Sequence, residues 1–110
     1  MLDGAAVLAH SIHLNSIRSP QSTSKYDYEM IAFIHPEGIN CTENFQSLGY
    51  KTMLKETPVN VSDIQSTYYR ERVVKGGCCQ EKEYLKLYTW TLTDYPVAVH
   101  LDTDSLILKP

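Results

Sequence analysis

The N-terminal segment of the chain has the apolar spacing of a helix with two apolar faces. Asp3 is suited to cap this helix, which is predicted over residues 4–17. A helix that is apolar on two sides is expected to be packed on both. The first face comprises Ala5, Leu8, Ala9 and Ile12, and the second comprises Val7 and Leu14.

The next segments predict a strand, a short helix and a second strand. Residues 28–35 contain an uninterrupted apolar run at positions 30–34, which is typical of a strand covered on both faces in a parallel sheet. Residues 40–48 predict a short helix, and Gly49 is a good residue to close it. Residues 50–55 predict the second strand, whereas the pattern over residues 64–74 leaves its structure open.

After a break at Gly76-Gly77, residues 81–95 give the clearest helical pattern in the chain. Pro96 stops this helix, and residues 97–101 predict a short buried strand, with extended chain resuming at residues 106–108. The alternation indicates an α/β fold around a mostly parallel sheet. The apolar stripe of the predicted helix comprises Tyr84, Leu85, Tyr88, Leu92 and Tyr95, with Lys82, Lys86, Thr89 and Thr93 opposite.

Composition removes several classes of function. The 110 residues carry a net charge of −3 with no basic block, so a nucleic-acid partner is not expected. No apolar run reaches the roughly 20 residues of a membrane span. Three cysteines form no closed disulfide framework, and adjacent Cys78-Cys79 lacks the spacing of zinc ligands. Sequons at Asn40 and Asn60 point weakly to the secretory pathway.

The strongest chemical signal is the carboxylate pair Asp102 and Asp104, which directly follows the predicted strand at residues 97–101. Ligands of open α/β sheets bind beyond the carboxyl ends of the strands. Paired carboxylates there suit Mg²⁺ or Mn²⁺ bound together with substrate phosphates. The spacing alone equally allows a simple turn with local side-chain hydrogen bonds. The apolar segments on either side favour the metal interpretation.

The segment from Lys86 to Leu108 resembles family 8 of the retaining glycosyltransferases, in the glycogenin-like branch. It reads KLYTWTLTDYPVAVHLDTDSLIL, and the family has a helix of the form Lys-Leu-x-x-Trp-x-Leu-Thr-x-Tyr followed by Leu-Asp-x-Asp-x-Leu-x-Leu. Weaker agreement extends upstream to residues 4–12 and 48–50. Nearly the whole chain is covered, strongly from about residue 76 onward.

This resemblance implies a GT-A (Rossmann-like) nucleotide-diphospho-sugar domain, of which residues 1–110 form a part. Asp102 and Asp104 match the family's metal-binding pair, and Asp102 also matches a position near the sugar and ribose of the donor. Lys86 matches the helix lysine beside the donor's phosphates and sugar, a catalytic and donor-binding position. The family's opening strand and its later metal-binding histidine have no counterpart here, so the domain is expected to be truncated at both ends.

The implied function is transfer of a hexose from a UDP-sugar, UDP-glucose or UDP-galactose, to an unknown acceptor, with retention of configuration and Mn²⁺ or Mg²⁺ as the metal. This 110-residue chain alone is expected to transfer little sugar. The alternative is a non-catalytic fragment or degenerate domain that binds a nucleotide or a protein partner. The sequons suit the Golgi lumen, whereas glycogenin-like enzymes can also be cytoplasmic.

Overall fold

The computed structural model describes residues 2–76 and 79–109, so Gly77 of the predicted break and Cys78 of the cysteine pair lie outside the described residues. Two strands form a parallel two-stranded sheet, which confirms the α/β class at this coarse level. The elements in chain order are helix α1 (Leu2–Leu14), strand β1 (Met30–Ile34), a 3₁₀ helix (Pro36–Cys41), helix α2 (Thr42–Ser47), strand β2 (Tyr50–Leu54), a 3₁₀ helix (Val61–Asp63), helix α3 (Thr67–Lys75) and a 3₁₀ helix (Gln80–Thr91).

The chain divides into two compact units. The first unit comprises the described parts of residues 1–32, 40–53 and 101–110, and therefore contains α1, α2 and the Asp102–Asp104 pair. The second comprises the described parts of residues 33–39 and 54–100, and therefore contains α3 and the 3₁₀ helix at Gln80–Thr91. Of the predicted site residues, Asp102 and Asp104 belong to the first unit and Lys86 belongs to the second.

Helix α1 ends three residues earlier than predicted, and Asp3 lies in its first turn instead of capping it. Asn15 follows the last helical residue, and its side-chain amide donates to the Ser11 carbonyl at 2.9 Å, which satisfies a carbonyl of the last turn. The first predicted face is confirmed by the burial of Ala5, Leu8 and Ala9.

The prediction that α1 is packed on both sides is wrong, because Val7 and Leu14 are exposed. The contacts of α1 within the first unit come through other positions. Tyr50 donates to the Ala5 carbonyl at 2.8 Å, and Thr103 lies against Gly4. Burial of Tyr50 raises the pKa of its hydroxyl.

The central strand–helix–strand segment largely follows the prediction. β1 and β2 lie within the predicted ranges, and the helical segment divides into the Pro36–Cys41 3₁₀ helix and α2. Gly49 has φ +89° and its amide donates to Gln46 O at 2.9 Å, so its predicted role at the helix end is confirmed. The expected covering of β1 on both faces is only partial, since Ile34 is buried and residues 30–33 are half-buried. A sheet of two strands has few neighbours to cover it.

The segment whose pattern was open, residues 64–74, contains most of α3. Ser66 caps this helix, since its hydroxyl accepts from the Tyr69 amide at 3.5 Å. Arg70 donates to the Ile64 carbonyl at 2.6 Å and joins the helix to the chain before it. No residue of α3 is buried, which explains why no apolar stripe marked it.

The helix predicted over residues 81–95 is instead a 3₁₀ helix from Gln80 to Thr91, and none of its residues is buried. Its last turns contain Tyr88, Thr89, Trp90 and Thr91, which are aromatic or β-branched and favour α-helix only weakly. Three residues per turn replace the 3.6-residue spacing on which the predicted apolar stripe depended.

The predicted strand at residues 97–101 is wrong, and residues 106–108 also form no strand. Val97 and Val99 are exposed, so this apolar run is not the buried strand that was expected. A strand needs a neighbour for its backbone hydrogen bonds, and β1 and β2 pair only with each other within the described sheet. The carboxylate pair therefore does not stand at the end of a sheet strand.

Candidate functional site

Asp102 and Asp104 lie together on one exposed turn. The Ser105 amide donates to the Asp102 carbonyl at 2.9 Å, which closes residues 102–105 as a β-turn. Asp102, Thr103 and Asp104 are all exposed, whereas Ser105 is half-buried. The turn carries two carboxylate side chains on its exposed residues, separated by Thr103.

The backbone of this turn lies against the first turn of α1. A Cβ atom placed on Gly4 would be 2.6 Å from the Thr103 carbonyl oxygen, a distance that a side chain at this position would not tolerate. Only glycine allows the Thr103 backbone to approach α1 so closely.

Four residues after Thr103, Ile107 is hydrogen-bonded to α1 through both of its backbone polar groups. Its amide donates to the Ser11 hydroxyl at 3.2 Å, and its carbonyl accepts from the Asn15 side-chain amide at 3.0 Å. The backbone of Ile107 is therefore hydrogen-bonded by side chains of α1 and its C-terminal end. No role for Ser11 or Asn15 was predicted from the sequence. The available signal was a serine three residues after Leu8, among the apolar positions of the predicted helix.

The donor set at the turn suits a hard divalent cation. Among residues 2–76 and 79–109, no group of three His, Cys, Asp or Glu side chains is arranged as a metal site. Two carboxylates are nevertheless the protein ligands typical of Mg²⁺, which completes its coordination with water and substrate phosphates. Asp102 and Asp104 thus fit an ion shared with a diphosphate, and do not by themselves form an all-protein site.

Lys86 belongs to the second unit, on the Gln80–Thr91 3₁₀ helix. Its ammonium lies 2.9 Å from the Glu83 carboxylate, three residues earlier, as the threefold spacing of a 3₁₀ helix allows. Both side chains remain substantially exposed, so this pair contributes little to stability. Lys86 is half-buried and carries a positive charge on the surface of its unit.

The two aromatic residues near Lys86 have different environments. The Tyr88 ring packs against Phe33 with centroids 5.8 Å apart, and its hydroxyl donates to the Glu56 carbonyl at 3.0 Å. Tyr88 therefore serves the packing of the second unit. Trp90 is 77% exposed and presents its indole ring to solvent.

A separate charged cluster in the second unit surrounds His35. Its Nε2 lies 3.7 Å from a Glu56 carboxylate oxygen, and its Nδ1 lies 4.0 Å from Glu37. Lys82 donates to Glu37, and this hydrogen bond lowers the pKa of the Glu37 carboxyl and raises that of the lysine. The cluster joins residues far apart in sequence and is explained as a structural network.

No family model, curated protein or solved structure matches this chain. None of the helices in the described part of the chain combines the length and apolar character needed to cross a bilayer.

Proposed function

We propose that this chain is part of a metal-dependent, retaining hexosyltransferase that uses a UDP-sugar donor. The observation that carries the proposal is the exposed turn at residues 102–105, whose two carboxylates are held on a backbone anchored to α1. Its sequence context, with the Lys-Leu-x-x-Trp helix before it, is the basis of the resemblance to family 8 glycosyltransferases and to their GT-A domain.

Asp102 and Asp104 would hold Mn²⁺ or Mg²⁺ through their carboxylate oxygens, with the remaining positions left to water and the donor diphosphate. When bound, the ion supplies Lewis-acid stabilisation of the charge that develops on the departing diphosphate. Lys86 is proposed to bind the same phosphates as a positive point charge and to orient the donor. Its pairing with Glu83 at 2.9 Å would have to open for this role.

A non-catalytic domain is the competing proposal. Such a domain would bind a nucleotide or a protein partner without catalysis. In that case the turn at residues 102–105 would be a surface turn that contacts a partner.

The test is calorimetric titration of the full chain with UDP-glucose and UDP-galactose, with and without Mn²⁺. We expect Mn²⁺-dependent binding that weakens at least about tenfold in Asp102→Asn and Asp104→Asn, as for the loss of metal-site residues generally. Asp94→Asn, which removes an exposed carboxylate outside the turn, is the matched control and is expected to bind normally.

Lys86→Ala is expected to weaken donor binding while leaving the affinity for Mn²⁺ alone unchanged. Intact Mn²⁺-dependent binding in both aspartate variants would show that the proposed mechanism is wrong. Absence of any Mn²⁺-dependent binding by the wild-type chain would favour the non-catalytic domain.

A further inference from the structure

One stripe of α1 contacts the segment that carries the two aspartates. Gly4, Leu8, Ser11 and Asn15 are spaced four, three and four residues apart, so they lie on one side of the helix. We propose that Gly4, Ser11 and Asn15, here called the α1 latch, fix the Asp102–Asp104 turn, and that Ser11 and Asn15 are positioning residues for its carboxylates. This inference rests on the proposed metal-binding role of the turn.

The Ser11 hydroxyl both donates and accepts a hydrogen bond. The hydroxyl donates to the Leu8 carbonyl at 2.8 Å, which leaves its oxygen lone pairs to accept from the Ile107 amide at 3.2 Å. Ser11 is 5% exposed, so water cannot readily replace either partner. The first bond orients the hydroxyl oxygen toward the second.

Asn15 uses both donors of its side-chain amide. One hydrogen bond joins it to the Ser11 carbonyl at 2.9 Å, within its own helix end, and the other to the Ile107 carbonyl at 3.0 Å. The residue that ends α1 therefore also binds the segment after the turn. Because its side chain is fixed by the bond to Ser11, little freedom is lost in binding Ile107.

The latch contacts the segment at two points, Thr103 and Ile107, on either side of Asp104. Gly4 and Ser11 are seven residues apart on a helix, or about 10 Å along its axis. Four residues of chain span at most about 13–14 Å. The segment from Thr103 to Ile107 therefore runs along α1 with little slack, and the backbone is held on both sides of Asp104.

The first arm of the test measures backbone amide hydrogen exchange by NMR in Ser11→Ala and Asn15→Ala. We expect the Ile107 amide to exchange about fivefold faster in each variant, because each loses one hydrogen bond to Ile107. Tyr50→Phe is the matched control, because it removes a side-chain hydrogen bond to α1, at Ala5, without touching the latch. It should leave Ile107 exchange unchanged.

The second arm measures the affinity of the same variants for Mn²⁺ alone. Loss of residues that orient metal ligands commonly lowers metal affinity 10- to 100-fold, and we expect about tenfold for Asn15→Ala. Tyr50→Phe should bind Mn²⁺ as the wild type does, which separates positioning from general loosening of α1. Asn44→Ala, at an exposed asparagine of α2, controls for the substitution type.

Unchanged Ile107 exchange in folded Asn15→Ala would overturn the inference, whatever the metal result. Faster exchange with unchanged Mn²⁺ affinity would also overturn it, because the latch would then contribute only to stability. The proposed function fails separately if Asp102→Asn and Asp104→Asn bind Mn²⁺ like the wild type, or if the wild type binds none. Either of those results would also remove the positioning role, while the exchange data would still decide whether α1 holds the turn.

Discussion

Replacing Gly4 with alanine tests the closest backbone contact of the candidate site. The new Cβ would lie 2.6 Å from the Thr103 carbonyl oxygen. Ordinary carbon–oxygen contacts begin at about 3.3 Å, so the Thr103 backbone must move by roughly 0.7 Å or more. The atom that the new Cβ would meet is a backbone oxygen and not the flexible end of a side chain. The chain after Thr103 is also hydrogen-bonded to α1 at Ile107.

Two opposing energies decide the sign of the Gly4→Ala effect. Alanine gains about 0.5–1 kcal/mol over glycine inside a helix. Overpacking against a fixed backbone costs about 1–3 kcal/mol. The net expectation is a destabilisation of about 1 kcal/mol, which lowers Tm by about 4–8 °C for a domain near this size.

Thermal unfolding followed by circular dichroism measures this shift. Gly38→Ala is the control, because its Cβ would meet only the Ile34 Cγ2 atom at 3.5 Å, an ordinary contact. Gly38→Ala should therefore leave Tm within a few degrees of the wild type or raise it. If Gly4→Ala were as stable as the wild type or more so, Thr103 would not be held against α1.

Two further predictions concern the first unit. Arg18 donates to Asp27 at 2.5 Å, and this hydrogen bond lowers the pKa of the Asp27 carboxyl. The pair therefore stabilises the fold above the ordinary carboxylate range, near pH 4, and loses that effect as pH falls through the lowered pKa. Arg18→Gln should return the pKa of Asp27 toward its ordinary value in an NMR titration. Phe45 is 8% exposed, with its ring centroid 5.5 Å from that of Tyr50, and Phe45→Ala should cost about 3–5 kcal/mol in urea unfolding.

Each of these predictions has a matched control in the chain. Lys25→Gln removes a positive charge two residues from Asp27 and leaves the Arg18–Asp27 hydrogen bond in place. It should therefore leave the pKa of Asp27 nearly unchanged. If the pKa of Asp27 rose as much in Lys25→Gln as in Arg18→Gln, the shift would come from the net positive charge nearby and not from the hydrogen bond with Arg18. Ile39→Ala removes a 52% exposed side chain and should cost less than about 0.5 kcal/mol. A similarly small loss in Phe45→Ala would show that Phe45 is not part of the core.

The segment from β1 to β2 could be predicted from the sequence because its signals are local. An apolar run of strand length, a helical segment and Gly49 at the turn each act over a few residues. The predicted role of Gly49 at the end of the helix is confirmed by its φ of +89°. Asp102 and Asp104 were likewise singled out by neighbouring residues alone, and the turn between them is a local structure.

The end of the chain could not be predicted in the same way. The apolar run at residues 97–101 has the composition of a strand, but a strand forms only where another strand supplies hydrogen bonds. Val97 and Val99 remain exposed, and the long helix before them has 3₁₀ geometry. The apolar pattern of residues 97–101 is compatible with a strand, but it carries no information on whether another strand lies beside it.

The sequence by itself singled out the candidate residues: Asp102 and Asp104 by their residue type and the apolar segments around them, and Lys86 through its place in the segment that resembles family 8 glycosyltransferases. Only the tertiary structure decided what holds the aspartates. Ser11 and Asn15 lie 96 and 92 residues before Ile107 along the chain. Hydrogen bonds over such separations depend on how the chain packs, and no local pattern encodes them.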